Sequence, residues 1–268
     1  MGACGTEACG SCGGGKLVQL RQLGVDLDNW TYIVALAGNP NTGKSTIFNA
    51  LTGLRQHTGN WPGKTVSRAE GGFKYGEDSF KLIDLPGTYS LLSATPDEEV
   101  ARDFILFGKP DVTVVVADAS RLERNLNLTL QVLQITDRAV LCLNLMDEAR
   151  ASGIEIDVRG LARDLGVPVV PTSARSMDGI AELTRVIADM AGQRLACTPR
   201  KLDFNHSELA DAVETVKGAL RRSYPDLPHL NWIALRLLEG DRRIVEAVRD
   251  GTIGKLAGDH ASQVLRAS

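Results

Sequence analysis

Several features that would place a chain in a particular functional class are scarce in this sequence. Its 30 basic side chains are balanced by 33 acidic ones, so it has no broad positive field to bind nucleic-acid phosphates. No apolar run is long enough to cross a bilayer, and the N-terminus lacks the apolar core of a signal peptide. We therefore expect this chain, as given, to be soluble and cytosolic, with no nucleic-acid partner.

Cysteine is also scarce. The five cysteines are an odd number, and Cys142 lies in an apolar run where a thiol packs as a small hydrophobe, so no disulfide scaffold is expected. Cys4, Cys9 and Cys12 have the C-x4-C-x2-C spacing of some iron-sulfur proteins. A cluster needs a fourth ligand and a folded frame, whereas the residues around these three are mostly Gly, Ala and Ser. A flexible, reduced tail is favoured over a metal site.

The apolar periodicity alternates between short β-branched runs and longer helical stretches, which predicts an α/β fold with a mostly parallel sheet flanked by helices. The predicted strands are "TYIVALAG", two within "GGFKYGEDSFKLIDLPG", "DVTVVVADA", "RAVLCLNLMD" and "VPVVPTSA". The predicted helices are "KSTIFNALTG", "NLNLTLQVLQIT" and "DVRGLARDLG", the last with Asp157 as its N-cap.

After about Gly192 the β-branched runs stop and a small all-α unit is predicted. Its helices are "HSELADAVETVKGALRRS", "NWIALRLLEG" capped by Asn231, and "DRRIVEAVRDG" capped by Asp241. The sequence is therefore divided into a tail and lead-in at residues 1–29, an α/β domain at 30–192 and a helical domain at 193–268.

A glycine-rich loop between the first strand and the first helix matches the phosphate-binding pattern G-x-x-x-x-G-K-S. Backbone N–H groups of such a loop, and the positive end of the following helix, face phosphate oxygens. Lys44 is predicted to neutralise the β and γ phosphates, and the Ser45 hydroxyl to ligate Mg²⁺. The predicted loop residues are Gly38, Asn39, Pro40, Asn41, Thr42, Gly43, Lys44, Ser45 and Thr46.

Such a loop binds the phosphates of ATP and GTP alike, so the residues that distinguish adenine from guanine must lie elsewhere in the sequence. In "NLMD", Asn144 and Asp147 follow an apolar strand, where a carboxylate can accept two hydrogen bonds from the guanine N1–H and amino group. Taken alone, the tetrapeptide is an ordinary strand end. Its position after the phosphate loop and "DLPG", and before "TSA", favours a guanine site. The predicted base-site residues are Asn144, Met146, Asp147, Thr172, Ser173 and Ala174.

"DLPG" is predicted to sense the γ phosphate. Asp84 would hold Mg²⁺ through water while the Gly87 N–H reaches the γ phosphate, with Leu85 and Pro86 between them. Loss of that phosphate would free the following segment.

The stretch "RQHTGNWPGKTVSRAEGG" is predicted to be a long loop, because it shows little periodicity. Thr65 in this loop is predicted to supply the second hydroxyl ligand of Mg²⁺, and Gly63 and Lys64 lie beside it. We expect the loop to be ordered by a triphosphate and loose with a diphosphate.

The motifs "GNPNTGKST", "RQHTGNWPGKTV", "DLPGTYSL" and "NLMD" resemble, in order and spacing, the N-terminal cytosolic G domain of the FeoB ferrous iron transporters of bacteria. The similarity is close over residues 33–174, and "NWIALRLLEGD" is similar to the helical domain that follows the G domain in that family. The chain departs from the pattern at Lys64, where an apolar residue is common, and at Ser67, where an acidic one is frequent.

The resemblance implies a GTPase module on the cytoplasmic face of the bacterial inner membrane, which regulates or gates Fe²⁺ uptake by an attached membrane transporter domain. It also brings small cytosolic Feo accessory proteins and an oligomer into consideration as partners. The alternative is a soluble GTPase acting as a ribosome or RNA assembly factor. The near-neutral charge and the "NWPG" loop favour the transporter module.

Hydrolysis is expected to be slow. Small GTPases orient the attacking water with a glutamine after the "DxxG" glycine, whereas Thr88 stands there in this chain, so we expect a rate at or below roughly 10⁻² s⁻¹. The phosphate loop holds no arginine, so a bound K⁺ is a candidate for the missing positive charge. Asn41 is the candidate K⁺ ligand, as resemblance to cation-activated FeoB members also implies; alternatively it only shapes the loop by bonding its own backbone. The predicted catalytic residues are Lys44, Thr65, Gly87 and Asn41.

Overall fold

The computed structural model describes residues 20, 25, 30–53, 56–92, 95–201 and 207–257. Seven strands form one sheet in the order β2-β3-β4-β1-β5-β6-β7. The strands are β1 (Tyr32–Gly38), β2 (Gln56–Asn60), β3 (Ser67–Tyr75), β4 (Asp78–Asp84), β5 (Val112–Asp118), β6 (Ala139–Asn144) and β7 (Val169–Pro171). The strands β4, β1, β5, β6 and β7 run parallel, and β2 and β3 are antiparallel additions at one side. The predicted α/β fold with a mostly parallel sheet is confirmed.

Helices flank this sheet and then follow it. They are α1 (Lys44–Thr52), α2 (Pro96–Asp103), α3 (Leu122–Ile135), α4 (Met146–Ala151), α5 (Val158–Leu165), α6 (Ile180–Ala191), α7 (Ser207–Ser223), α8 (Leu230–Leu238), α9 (Arg242–Arg249) and α10 (Thr252–Ala257). A π-helical turn, Phe104–Gly108, continues α2. None of the helices within the described residues is long and apolar enough to span a membrane.

Both faces of the central strands are buried, as their continuous apolar runs predict. One face packs against α1 and α6, with Phe48 and Ile187 among the fully covered side chains. The other face packs against α2, α3 and the C-terminal helices, where Phe104 and Ile233 share one apolar cluster. Cys142 lies in the first of these cores, and burial raises the pKa of its thiol to about 12, so it behaves as the packed hydrophobe that the sequence predicted.

The parallel strands order the loops that matter for binding. Because β4, β1, β5, β6 and β7 run in one direction, the segments after their carboxyl ends meet at one edge of the sheet. These segments include the phosphate loop after β1, "DLPG" at the end of β4, "NLMD" after β6 and "TSA" after β7.

Two expectations from the sequence are wrong. The stretch 55–72 was predicted to be a loop, but residues 56–60 form β2 and residues 67–70 already belong to β3. The two strands pair from Asn60 opposite Ser67 to Gln56 opposite Gly71. Strand β2 is polar and contains a glycine, so its conformation comes from hydrogen bonds to its partner rather than from its own periodicity. Asn231 was predicted to cap its helix, but α8 begins at Leu230 with His229 as N-cap, two residues earlier than predicted.

Other predicted boundaries agree with the structure. Asp157 caps α5 by accepting a hydrogen bond from the Gly160 N–H, and Asp241 caps α9 in the same way. The predicted tail at residues 1–29 lies outside the described residues except for Leu20 and Val25, so Cys4, Cys9 and Cys12 lie outside them as well.

Candidate functional site

The phosphate loop leaves β1 at Gly38 and enters α1 at Lys44. Two of its glycines are required by close packing: a Cβ on Gly38 would lie 2.7 Å from the Val116 carbonyl oxygen, and one on Gly43 would lie 2.4 Å from Asn144 Nδ2. Gly43 also has a positive φ of 77°. The Thr42 hydroxyl donates to the Asn39 carbonyl at 2.9 Å, which closes the loop on itself. The loop is therefore held in shape by its own contacts.

Lys44 and Asp84 meet at the centre of this edge. Lys44 is the first residue of α1, Asp84 is the last of β4, and the ammonium group donates directly to Asp84 Oδ1. Burial raises the pKa of the Asp84 carboxyl, and the charge and hydrogen bond of Lys44 oppose that rise. The two side chains predicted to bind phosphate and Mg²⁺ are thus brought together and neutralise each other.

Asn144 joins the phosphate loop to the "TSA" loop. Its Nδ2 donates to the Thr42 carbonyl at 2.9 Å, and its Oδ1 accepts from the Ala174 N–H at 3.1 Å and from the Thr172 hydroxyl at 3.3 Å. The side chain is only 1% exposed. Asn144 therefore acts here as a clamp between two loops, with its amide nitrogen and oxygen both bonded to the protein.

The Asp147 carboxylate is exposed at the same edge, in the first turn of α4. Its backbone N–H donates to the Ser173 hydroxyl at 3.2 Å, and the Met146 N–H donates to the Thr172 carbonyl at 3.2 Å. Leu145, just before the helix, has a positive φ of 62°. The structure thus brings "NLMD" and "TSA" together, with Asp147 presented to solvent above a fixed backbone.

The segment after β4 is held against the phosphate loop. The Thr88 N–H donates to the Gly38 carbonyl at 3.2 Å, and Gly87 packs beside Pro40. The Thr88 hydroxyl donates to the Ser90 carbonyl at 2.7 Å and the residue is 3% exposed. Leu85 is buried and Pro86 is partly exposed. The Thr88 hydroxyl is thus hydrogen-bonded within its own turn.

Residues 61–66, which we name the hairpin loop, connect β2 to β3. The Trp61 N–H donates to the Val66 carbonyl at 2.9 Å, and the Lys64 N–H donates to the Trp61 carbonyl at 3.0 Å. Gly63 takes a positive φ of 68° in this tight turn. Thr65 is exposed, on a loop that the strand order separates from β1 by β3 and β4. Its own backbone hydrogen bonds thus close the hairpin loop into a turn. It lies at the same edge of the sheet as the phosphate loop, on the β2–β3 side.

The oxygen donors at this edge match the preference of Mg²⁺ for carboxylate and hydroxyl ligands. Ser45 carries an exposed hydroxyl in the first turn of α1. Asp84 accepts a hydrogen bond from Lys44, which directly precedes Ser45 in the chain. These two residues suit a Mg²⁺ ion beside a bound phosphate. Thr65, the third predicted ligand, lies exposed on the hairpin loop.

Asn41 is exposed and has a positive φ of 65°, a conformation that asparagine tolerates better than most residues. Across the described residues, no hydrogen bond involves its side chain. The loop-closing bond comes instead from Thr42, so the backbone-bonding role considered for Asn41 is not seen here.

One functional candidate was missed in the sequence. Glu99 in α2 accepts hydrogen bonds both from Lys64 and from Arg243 of α9. The helix itself had a readable signal, because Thr95, Pro96 and Glu98 form a capping box with proline at the first turn. The contacts of Glu99 had none, since they join segments far apart in the chain.

Comparisons with known proteins agree with this geometry. The family model described as ferrous iron transport protein B matches residues 32–187. The Fe(2+) transporter FeoB of Salmonella typhimurium is 40% identical over 212 residues, which is 78% of this chain and 27% of that protein. The FeoB of Escherichia coli strain K12 is 38% identical over the same shares. This chain therefore spans about a quarter of the length of these curated relatives.

Solved structures give the same answer. The cytosolic domain of T. maritima FeoB in its GMPPNP form is 37% identical with a TM-score of 0.75, covering 84% of this chain and 86% of that one. The FeoB G domain of Methanococcus jannaschii is 50% identical with a TM-score of 0.54, covering 60% of this chain and 97% of that one. The predicted resemblance is confirmed: the chain belongs to the FeoB family and has the fold of its cytosolic G domain.

Proposed function

We propose that this chain binds GTP with Mg²⁺, hydrolyses it slowly to GDP and phosphate, and thereby regulates or gates Fe²⁺ uptake by the membrane domain of a longer protein. The observation that carries the proposal is the Asn144 clamp, which ties the phosphate loop to the "TSA" loop at the edge where Lys44 and Asp84 meet. The T. maritima relative has been solved in GDP and GMPPNP forms, which supports a guanine nucleotide as the ligand.

In this proposal the phosphate chain of GTP takes the place that Asp84 now occupies beside Lys44. The Lys44 ammonium then donates to β- and γ-phosphate oxygens, and the N–H groups at the start of α1 add the positive end of the helix. Asp147 accepts the N1–H and amino hydrogens of guanine, while the clamp keeps its helix in register with the phosphate loop.

The residues that would hold Mg²⁺ are Ser45 and Asp84, joined by Thr65 once the hairpin loop moves toward them. Bound there, the ion would neutralise charge on the β and γ phosphates. Within the chain, Asp84 released from Lys44 becomes available as an acceptor for water, and the Gly87 N–H is available to donate to the γ phosphate.

Slow hydrolysis is expected because Thr88 follows Gly87 at the position where small GTPases have a water-orienting glutamine. The Thr88 hydroxyl is already bonded to Ser90, which supports a merely structural role for it. The side chain of Asn41 is exposed on the phosphate loop, which keeps it available as a K⁺ ligand that supplies positive charge between the β and γ phosphates.

The remaining assignments extend beyond this chain. We place the division between nucleotide-binding and helical units at residues 192–193, and the whole at the cytoplasmic face of the bacterial inner membrane. The membrane domain of the longer protein is the main partner, and small Feo accessory proteins and an oligomer are further candidates. The relatives named above are ferrous iron transporters, so a ribosome or RNA assembly role is not carried forward.

Competition binding tests the proposal directly. A fluorescent GDP is displaced by unlabelled GDP or by ADP, with and without Mg²⁺. Because a site that reads hydrogen bonds discriminates by about 10⁴-fold, ADP should compete only at far higher concentration. Comparable affinities for GDP and ADP would contradict the guanine assignment.

A further inference from the structure

One side chain of α3 anchors the segment that follows Gly87. We name residues 88–92 of this segment the Thr88 turn. Gln131 Oε1 accepts a hydrogen bond from the Leu91 N–H at 2.7 Å and another from the Ser90 hydroxyl at 3.2 Å. Because a backbone N–H can only donate, the contact with Leu91 fixes which end of the Gln131 amide faces the turn. A single oxygen thus holds two successive residues of the Thr88 turn.

Hydrogen bonds within the turn connect this anchor to the phosphate loop. The Thr88 hydroxyl donates to the Ser90 carbonyl at 2.7 Å, and Thr88 Oγ1 accepts from the Ser90 N–H at 3.2 Å. At its other end, the Thr88 N–H donates to the Gly38 carbonyl at 3.2 Å. Gly87 is close enough to the loop that a Cβ on it would lie 3.5 Å from the Pro40 nitrogen. The Thr88 turn is therefore tied to the phosphate loop at one end and to α3 at the other.

A second side chain of α3 contacts the same turn. The Arg124 guanidinium lies over the Tyr89 ring, 4.5 Å from its centroid. Arg124 and Gln131 are seven residues apart, so they lie on the same face of the helix. The Tyr89 side chain is 44% exposed, whereas Leu91 is 1% exposed and shares an apolar cluster with Leu128 of α3. The contact with the buried residue is the stronger one, so Gln131 is the main anchor.

The position of Gly87 depends on how firmly the Thr88 turn is held. In the proposed function the Gly87 N–H donates to the γ phosphate, and a hydrogen bond of this kind tolerates only a narrow range of distance and angle. Gly87 directly precedes the turn, so a movement of the turn tilts its peptide group. An anchored turn also loses less conformational freedom when that N–H binds a ligand. GDP has no γ phosphate, so only the triphosphate benefits from the anchor.

We propose that Gln131 is a positioning residue for the γ phosphate. It holds the Thr88 turn on α3 so that the Gly87 N–H donates to the γ phosphate, both when GTP binds and while the phosphate is being transferred to water. Gln131 acts through Ser90 and Leu91 rather than by touching the nucleotide. This inference rests on the proposed GTP-binding function, and it assigns to Gln131 the discrimination of GTP from GDP at that same site.

The first test is Gln131→Met, which keeps an unbranched side chain and removes the acceptor. Calorimetric titration measures the affinities of GDP and of the non-hydrolysable analogue GMPPNP, and single-turnover assays measure GTP hydrolysis. Because the Leu91 N–H loses its partner, GMPPNP affinity and the hydrolysis rate should each fall about tenfold, whereas GDP affinity should change less than about twofold. A loss of folding stability alone would lower the affinities of both nucleotides together.

The second test asks whether the acceptor oxygen is the important group. In Gln131→Glu, a carboxylate oxygen accepts from the same two donors, so GMPPNP affinity and hydrolysis should return to within about threefold of wild type. Asn127→Ala is the matched control on the same helix. Asn127 Oδ1 contacts the other end of the Gln131 amide, accepting from its Nε2 at a long 3.4 Å. This control should change each value less than about twofold, because so long a contact is weak.

The third test asks whether Gln131 acts through the Thr88 turn. Ser90→Ala removes one of the two donors to Gln131 Oε1 and leaves the Leu91 N–H, so GMPPNP affinity should fall by only about threefold. Because both substitutions break the same contact, the double variant Ser90→Ala, Gln131→Met should be no weaker than Gln131→Met alone. Additive losses would mean that the two residues act separately, and would overturn the anchor.

The outcomes separate the two proposals. The role of Gln131 is overturned, with nucleotide binding left intact, if Gln131→Met binds GMPPNP as well as or better than wild type. It is also overturned if the affinities of GDP and GMPPNP fall equally, or if Gln131→Glu does not restore the loss. A wild-type chain that binds neither nucleotide overturns the proposed function, and the role of Gln131 with it.

Discussion

The two sides of the nucleotide-binding edge are held by different kinds of contact. On the β6–β7 side, Asn144 is buried and its amide bonds to backbone groups of both neighbouring loops. On the β2–β3 side, the hairpin loop is held by its own turn, by the edge-to-face contact of Trp61, and by an ion pair from Lys64 to Glu99. In the proposed function, the β6–β7 side is a fixed frame and the β2–β3 side is the part that exchanges its contacts. A switch needs both kinds.

The largest expected effect is on the fixed side. Asp147→Asn should weaken GDP binding by about 10³-fold or more, because the guanine donors lose their carboxylate acceptor, and should shift preference toward xanthine nucleotides. Glu148→Gln is the matched control, since Glu148 is the adjacent exposed carboxylate on α4. Displacement of fluorescent GDP and XDP measures both. If the two variants behaved alike, Asp147 would not be the base reader.

The next effect concerns the stability of the β2–β3 side. Trp61→Ala should lower the free energy of unfolding by about 3 kcal/mol, because it empties a buried site against Phe104. Trp61→Phe should cost much less, since the buried indole nitrogen has no hydrogen-bond partner to lose. Urea unfolding compares the two variants. GDP affinity should change less than threefold in both; a large loss would show that the hairpin loop is part of the fixed frame.

Removal of the Asn144 clamp should give a smaller but measurable loss of GDP affinity. Asn144→Ala leaves the Thr42 carbonyl and the Ala174 N–H without their partner, and two such hydrogen bonds together contribute about 2 kcal/mol. GDP affinity should fall by about 30-fold, with no change in the ratio of GDP to GMPPNP affinity. Calorimetric titration gives both values. A change in that ratio would mean that the clamp also senses the γ phosphate.

The smallest expected effect is on catalysis. Replacing Na⁺ by K⁺ should raise the slow GTPase rate by about tenfold, because a fixed positive charge near the β and γ phosphates stabilises the transition state. Asn41→Ala should abolish that stimulation and leave the rate in Na⁺ nearly unchanged. Phosphate release in matched salts measures it. Equal wild-type rates in K⁺ and Na⁺ would leave Asn41 as a loop residue only.

The two sides of this edge also differ in how well the sequence predicted their structure. The phosphate loop, "DLPG" and "NLMD" were placed correctly at one edge because buried apolar strands such as Val112–Asp118 have patterns that local rules can read. The strand Gln56–Asn60 was missed because its conformation depends on pairing with Ser67–Tyr75, and nothing in its own residues indicates that.

Within the site, residue types were predictable and their present partners were not. The pattern G-K-S identified Lys44, but not that it pairs with Asp84. "NLMD" indicated a base-binding motif, but not that the Asn144 amide group hydrogen-bonds to two other loops. The contacts of Glu99 join residues more than 140 positions apart, as Arg243 shows, and only the folded chain brings them together. Side-chain partners depend on tertiary packing, which local patterns do not carry.

Hydrogen exchange of the wild-type chain, measured with GDP and with GMPPNP, distinguishes a fixed β6–β7 side from a β2–β3 side that responds to the γ phosphate. Peptides covering residues 139–151 and 172–178 should be equally protected with both nucleotides, because their clamp does not depend on the γ phosphate. Peptides covering residues 56–66 should differ between the two nucleotides, because the hairpin loop exchanges its contacts when Thr65 moves toward Mg²⁺. Identical exchange of residues 56–66 with both nucleotides would rule out this difference between the two sides. So would a change in residues 139–151 as large as the change in residues 56–66.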